Sequence, residues 1–526
     1  MMKKETYIKS LNLLFATIIL AKLIYMTIAL FVERSLWLDE ALLVKSICVR
    51  DFAGLLEGNL EYGQSSPVGY LMVSKLFTII FGVRELSFRL YGYLFTIASA
   101  ITVYYLAKDA LKSKLPLLLV VGYLGVNTIL HYANEAKPYS SDAFCTLMTF
   151  FLYWKYRVGK CSLLSVCIFM TIAVWFTLGG LFSMAGICIY HFFDKTIEYR
   201  KKSLNITSWL KSVLPLLIVG VSVLLYYILW LGPASANIEP EAHEYWDKTR
   251  IPLLPTSIEE VKSIIRAFKA IFYIHGNSSI YFLLFFIFSV VKFRKNWINV
   301  SLVIIFSIVI VASHLGLYHI ESRLQLGLIS LITLYVYYGM SEILSGITYN
   351  KATLTCSLLF IILPFLYTNK ACAKMFKKDS YYNKGDEYKA CLEYIEEKTG
   401  KDAIIYCYGT NKPIVEFYRS YKDKVSSFGF NRSSNIYIES NIIYANIIRQ
   451  LTSPSSGEYL FIPKKKEMNQ NVDVIRKFPE VYIINVHQEG DIIPQLLSLL
   501  KSKGSNVTLF NEIYGTEIFK ITTSGQ

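Results

Sequence analysis

Charge is scarce in this chain. Asp, Glu, Lys and Arg supply 18% of its 526 residues, against about 25% in a soluble domain, and that charge falls between long apolar runs. No glycine fingerprint or P-loop is present, so nucleotide binding has no support. The nine cysteines include no C-x-x-C pair, which argues against a metal knuckle or a disulfide scaffold. Pairing of Cys391 with Cys407 stays open if their domain is extracytoplasmic. A small-residue cleavage site is also missing after "MMKKETYIKS", so the first apolar run reads as a retained helix and not as a cleaved signal.

What the chain has instead is hydrophobic length, with 54% apolar residues. Runs of about 17–25 such residues cross a bilayer. Spans are expected near 11–31, 87–107, 115–133, 140–156, 161–178, 180–194, 211–231, 279–293, 298–316, 324–345 and 352–369, about eleven in all. The net charge of +15 does not pool into a nucleic-acid patch; it lies in short loops. Lys3 and Lys4, then Lys108, Lys112 and Lys114, then Lys155, Arg157 and Lys160 share one side. Arg200, Lys201 and Lys202 join them, as do Lys292, Arg294 and Lys295. By the positive-inside rule that side, with the N-terminus, is cytoplasmic. Segments 32–86 and 232–278 and the tail from 370 then lie outside.

Two outer segments read as helices at the membrane interface. Residues 67–82 begin at a proline and end at Gly82, and at about 24 Å they are short for a crossing. In 257–272, Ser257 and Glu260 have capping-box spacing. Ile258, Val261, Ile264, Ile265 and Phe268 share one face, opposite Lys262, Arg266 and Lys269. A soluble amphipathic helix packed on the tail would show the same pattern. From 370 onward the chain turns polar. "YKACLEYIEEKTG" and "IPQLLSLLKSKG" read as helices, and "DAIIYCYG", "GEYLFIP" and "VYIINVH" as strands. "VTLFNEIYGTEIFKITT" reads as a hairpin, which makes the tail a small α/β domain.

Ionisable groups at membrane depth are costly and point to function. Three clusters fall on the outer side. Asp39 and Glu40 follow the first span in "SLWLDEALL"; "HYANEAKPYSSD" supplies His131, Glu135, Lys137 and Asp142; "YHIESR" supplies His319, Glu321 and Arg323. Arg84, Glu85 and Arg89 add charge where the first loop re-enters the membrane. Each has a plainer explanation: a solvated helix start, a tight turn, a snorkelling arginine. Together they place acids and bases on one side. That suits a substrate with a phosphate and a sugar hydroxyl, where a cation offsets leaving-group charge and a carboxylate takes a proton.

The order of features resembles the GT-C superfamily of membrane glycosyltransferases, in the branch of protein O-mannosyltransferases and bacterial aminoarabinose transferases. The stretches that carry the likeness are "LWLDEAL", "QSSPVGYLMVSKLFTIIFGVRELSFRLYGYLF", "HYANEAKPYSSDAF" and "YHIESRLQL", in order over residues 10–350. The resemblance implies a helical polytopic transmembrane domain, 1–369, with an extracytoplasmic α/β domain, 370–526, in a bacterial inner membrane. It implies transfer of a sugar from a polyprenyl-phosphate donor to a lipid, protein or glycan acceptor on the outer face. Asp39 matches the family's first-loop aspartate, the general base, with Glu40 as its neighbour. The second catalytic acid is Glu135 or Asp142. Lys137, Arg89 and Arg323 would bind the donor phosphate. Many relatives place a histidine or glutamate before the proline of the interfacial helix, where some bind a divalent metal; here Gln64 stands, with Glu61 out of register, and the metal stays open. The rival reading is a transporter or flippase, which predicts internal repeats and paired broken helices. The sequence displays neither.

Overall fold

The computed structural model describes residues 4–58, 60–233, 249–272, 279–292, 296–346, 387–400, 403–407, 412–418, 442–444, 465–486 and 492–523. The chain divides into two compact units. One holds Met1–Leu30, Phe52–Ser74 and Phe88–Ala373; the other holds Phe31–Asp51, Lys75–Ser87 and Lys374–Gln526.

Helices come in chain order as α1 (Lys4–Phe31), α2 (Leu38–Val49), α3 (Phe52–Leu55), α4 (Val68–Phe81) and α5 (Glu85–Tyr105). Then follow α6 (Pro116–Tyr123), α7 (Asn127–Ala133), α8 (Tyr139–Arg157), α9 (Leu163–Ala173), α10 (Gly180–Arg200) and α11 (Ile206–Tyr226). After these come α12 (Ile258–Phe272), α13 (Ser279–Lys292), α14 (Trp297–His314) and α15 (Leu326–Gly346). Single π-turns extend α5 to Ala110 and α11 to Leu231.

Five described segments are long and apolar enough to cross a membrane: Glu5–Phe31, Glu85–Ala110, Ile206–Leu231, Trp297–His314 and Leu326–Gly346. Helices α8 and α10 have the length but a more polar composition. Ser140, Ser141, Asp142, Thr146 and Thr149 of α8, and Ser183 and His191 of α10, are buried. A helix enclosed by others can turn such groups inward, where a lipid-facing helix cannot. Helices α9 and α13 are shorter, and the expected span at 352–369 lies outside the described residues.

The expected span 115–133 is not continuous. Helices α6 and α7 meet at a bend of 69°. The last turn of α6 tightens into three-residue closures, Gly125 N–H to Gly122 O at 3.1 Å and Val126 N–H to Tyr123 O at 3.3 Å. This is a common way for a helix to end. Gly122 lies so close to Tyr337 of α15 that a Cβ would stand 2.2 Å from its ring. Broken helices were not expected; this bent pair has no counterpart among the described residues.

Helix α12 forms where the amphipathic pattern predicts. Ser257 Oγ accepts from Glu260 N–H at 3.2 Å, while the Glu260 carboxylate reaches one residue further back than a capping box requires, to Thr256 N–H at 2.5 Å. Leu254, Ile258, Val261, Ile265 and Phe268 are all exposed.

In the second unit, strands β1 (Ile405–Cys407), β2 (Ile442–Tyr444), β3 (Glu480–Asn485), β4 (Asn506–Ile513) and β5 (Thr516–Thr522) form one sheet ordered β2-β1-β3-β5-β4. The first three are parallel, and β5 runs antiparallel to both β3 and β4. The expected hairpin turns at Tyr514 and Gly515, both at positive φ (50° and 82°), the geometry that matches strand twist in two-residue loops. Helices α16 (Tyr388–Thr399), α17 (Lys412–Glu416), α18 (Lys465–Ile475) and α19 (Ile492–Ser502) accompany the sheet. Val472 and Ile475 of α18 and Ile493 and Leu500 of α19 pack with Val481, Ile483 and Ile521 into its apolar core. Cys391 is a free, buried thiol on α16, and the side chain of Cys407 lies outside what the structure describes. Strand β2 was not expected, and "GEYLFIP" lies outside the described residues.

Candidate active site

In the first unit, the turn between α7 and α8 carries Glu135 and Lys137. Its backbone closes by Lys137 N–H donating to Glu135 O at 2.8 Å. The turn lies directly on α5 at Gly92, where a Cβ would stand 2.7 Å from Tyr132 O. Gly92 is one helical turn from Arg89, a fully buried guanidinium. Ser140 Oγ donates to Tyr132 O at 2.9 Å and ties the start of α8 back to the turn. Both Glu135 and Lys137 are buried, and His131 Nε2 stands 3.7 Å from the Glu135 carboxylate.

Lys137 Nζ donates to Gln64 Oε1 at 3.4 Å. Just before Gln64 the chain turns through Tyr62 at φ 57° and Gly63 at φ 61°. The left-handed conformation is costly for a tyrosine and is the kind of strain that functional loops retain. Beyond it, Ser66 O accepts from Trp230 Nε1 at 2.9 Å, and Gly69 leaves room for the Phe176 ring. The start of α4 is thereby fixed in the bundle.

Asp142 does different work. Its Oδ1 accepts from Thr177 Oγ1 and from Leu178 N–H at 3.0 Å, just before α10. A carboxylate at a helix N-terminus answers unpaired N–H groups and the helix dipole. Oδ2 would lie 3.0 Å from a Cβ on Gly179, and Tyr318 Oη and Leu324 O would be as close. So Asp142 also meets the 318–324 loop that carries Glu321 and Arg323. Tyr132, Tyr139, Ala143 and Leu326 pack together beside it. Burial pushes the Glu321 carboxyl above the usual range, opposed by the Arg323 guanidinium.

The first unit therefore brings Arg89, the 131–142 turn and the 318–326 loop onto adjoining elements. Asp39 and Glu40 belong to the second unit, and their environments differ. Glu40 is fully buried; it accepts from Trp37 N–H at 3.3 Å and lies 3.6 Å from Arg34. That makes it the cap of α2. Asp39, half-buried, is the neighbouring residue in the same first turn. Arg84 pairs with Glu33 at 3.3 Å and Glu85 with Lys389 at 2.9 Å, so both serve this unit's internal packing. Among the described residues no three His, Cys, Asp or Glu side chains are grouped to hold a metal. The ammonium of Lys137 beside Gln64 makes that position a poor host for a second cation.

No protein-family model matches the chain, and no curated protein matches its sequence. Solved structures do. ArnT from Cupriavidus metallidurans in the apo state superposes with a TM-score of 0.53 at 8% identity, covering 96% of this chain and 97% of that one. The same protein bound to undecaprenyl phosphate gives 0.52 at 10% identity over 96% and 97%. The chain has the ArnT fold. It is reached at low sequence identity, over nearly the full length of both chains.

The partners of these groups were not legible beforehand. Gln64 draws notice only as a departure from a motif, Tyr318 only as the first residue of the quoted stretch that ends at Arg323, and Thr177 has no local signature at all. Glycines 92 and 179 are the one usable signal: each is required by a close approach of backbone or side chain to the site elements.

Proposed function

We propose that this protein is an integral-membrane glycosyltransferase that moves a sugar from a polyprenyl-phosphate donor to an acceptor on the outer face of the membrane. The observation that carries this reading is the likeness to the ArnT fold over nearly the whole chain, joined to buried Arg89 and Lys137 on adjoining elements of one unit. One of the ArnT structures has undecaprenyl phosphate bound, a ligand whose head is an anion on a lipid.

In the proposed reaction Asp39 takes the proton of the acceptor hydroxyl, and its oxygen attacks the anomeric carbon. The bond from that carbon to the phosphate oxygen breaks with inversion. Lys137, Arg89 and Arg323 hold the phosphate as its negative charge grows, the general means of stabilising such a step. Glu135, in the same turn as Lys137, is the second acid of choice; Asp142 is already engaged at the start of α10. Glu40 supports Asp39 by capping its helix. The positive loops support an N-terminus in the cytoplasm and a tail outside.

The test uses purified full-length protein in nanodiscs with undecaprenyl phosphate carrying labelled hexoses or pentoses, together with a panel of lipid, protein and glycan acceptors. Release of undecaprenyl phosphate is expected with at least one donor, and Asp39→Asn should abolish it while the protein stays folded and inserted. Native turnover by Asp39→Asn would remove the base assignment. A transporter, for which the bent α6–α7 pair is the one favourable observation, would move label across a vesicle bilayer without cleaving the donor.

A further inference from the structure

The segment leading to Asp39 is gripped by the far end of the chain. Residues 33–37 form no helix or strand, so their backbone groups need partners from elsewhere. Ser35 N–H donates to Glu387 Oε2 at 3.2 Å, and Leu36 N–H to Tyr418 Oη at 2.7 Å. Lys389 Nζ donates to Glu33 O at 2.9 Å and pairs with Glu85 at 2.9 Å. On α2 itself Lys45 pairs with Glu416 of α17, with only 13% and 5% of their side chains exposed. Every one of these contacts lies inside the second unit.

The grip is anchored in the sheet. Glu387 N–H donates to Thr516 Oγ1 at 3.0 Å, at the first residue of β5. A continuous path therefore runs from β5 through Glu387 to Ser35, four residues before Asp39. The Lys45–Glu416 pair fixes α2 six residues after it. Buried, hydrogen-bonded charges are weak sources of net stability and in some proteins select one arrangement; here the backbone N–H groups of Ser35 and Leu36 are tied to Glu387 and Tyr418. A domain needed only to shelter an acceptor would have no use for this set.

We propose that Glu387, Lys389, Glu416 and Tyr418 of the C-terminal domain are positioning residues that hold segment 33–45, and with it Asp39, in working geometry. The catalytic consequence rests on the assignment of Asp39 made above; the grip itself does not. Small displacements of a reacting group cost large factors in rate, so the domain would set turnover and leave donor binding to the other unit's cations.

The experiment compares full-length wild type, Tyr418→Phe, Glu416→Lys, Lys45→Glu and the Lys45→Glu/Glu416→Lys exchange in nanodiscs. Amide hydrogen exchange is followed by mass spectrometry over 33–45, with 139–157 and 480–485 as internal controls. Each single variant should speed exchange in 33–45 by roughly tenfold or more with the controls unchanged, and the charge exchange should restore most of the protection. Turnover of a labelled undecaprenyl-phosphate sugar accepted by the wild type should fall about tenfold in kcat with donor KM within about twofold, and return in the exchanged pair. Unchanged exchange over 33–45 in Tyr418→Phe and Glu416→Lys overturns the grip. Faster exchange with unchanged kcat overturns its positioning role. Native turnover by Asp39→Asn removes the assignment of Asp39 instead and leaves the exchange result standing, so the two failures are told apart.

Discussion

Asp142 on α8 accepts a hydrogen bond from Leu178 N–H at 3.0 Å and so closes the N-terminal end of a different helix, α10. The interaction joins two long helices at the point where the chain between them carries Thr177, Gly179 and Gly180. It also separates two carboxylates that look alike in sequence, because Glu135 sits in the turn with Lys137 and beside His131.

Asp142→Ala is expected to lower stability by about 2–3 kcal/mol, since buried N–H and hydroxyl groups lose their acceptor. Asp142→Asn retains a carbonyl oxygen that can accept from Leu178 and should keep most of both stability and turnover. Thermal unfolding in detergent, read beside donor turnover, checks this. A folded Asp142→Asn that has lost all turnover would return Asp142 to the chemistry.

Gly92→Ala tests the seat of the Glu135–Lys137 turn. The added methyl would stand 2.7 Å from Tyr132 O, and a backbone oxygen cannot swing aside as a side chain can. Overpacking of this kind costs about 1–3 kcal/mol. The displaced turn should lower turnover roughly 10–100-fold although no chemical group has been removed. Equal turnover by wild type and Gly92→Ala would show that the turn need not rest on α5.

In the C-terminal domain, hydrogen bonding from Lys520 and then from Tyr482 holds the Glu480 carboxyl below its ordinary value, against a small opposing effect of burial. A depressed carboxyl stabilises the fold above its unfolded pKa and loses that contribution as pH falls through the folded value. The pair is partly exposed and screened by solvent, so about 0.2–1 kcal/mol is at stake. Glu480→Gln should therefore cost that much near neutrality and nothing at a pH well below the usual glutamate range. Chemical unfolding at the two pH values measures it; an equal cost at both would mean that the carboxylate's charge is irrelevant.

Helix α12 presents Ile258, Val261, Ile265 and Phe268 to its surroundings. A fluorophore on Phe268→Cys should be quenched by lipids carrying a nitroxide just below the headgroups, and one on Lys262→Cys much less. Equal quenching at the two positions would remove the helix from the interface.

The lipid-facing architecture was legible because crossing a bilayer imposes long apolar runs, as in Glu5–Phe31 and Ile206–Leu231. Helices α8 and α10 were harder: their inward serines, threonines and His191 dilute the pattern for the same reason that they matter to packing. The close approach of Tyr337 to Gly122, near the end of α6, involves a residue more than two hundred positions away. Local chemistry marked the Tyr514–Gly515 hairpin, whereas β2 is three residues long and draws its identity from pairing with β1. At the site, the charges themselves stood out, but their division of labour did not. Nothing near Asp142 foretells Leu178, and nothing near Ser35 foretells Glu387.

That last contact also has a bearing on when the molecule becomes complete. Domains and segments acquire structure as the chain is made, N-terminal portions first. Ser35 and Leu36 leave the ribosome hundreds of residues before Glu387 and Tyr418, and before the sheet that steadies Glu387 through Thr516. Throughout synthesis the stretch ahead of Asp39 must wait without these partners. A part of the protein made late thus closes a loop opened much earlier, and a chain interrupted before residue 387 would carry Arg89, Lys137 and Arg323 yet lack the fastening of the segment before Asp39.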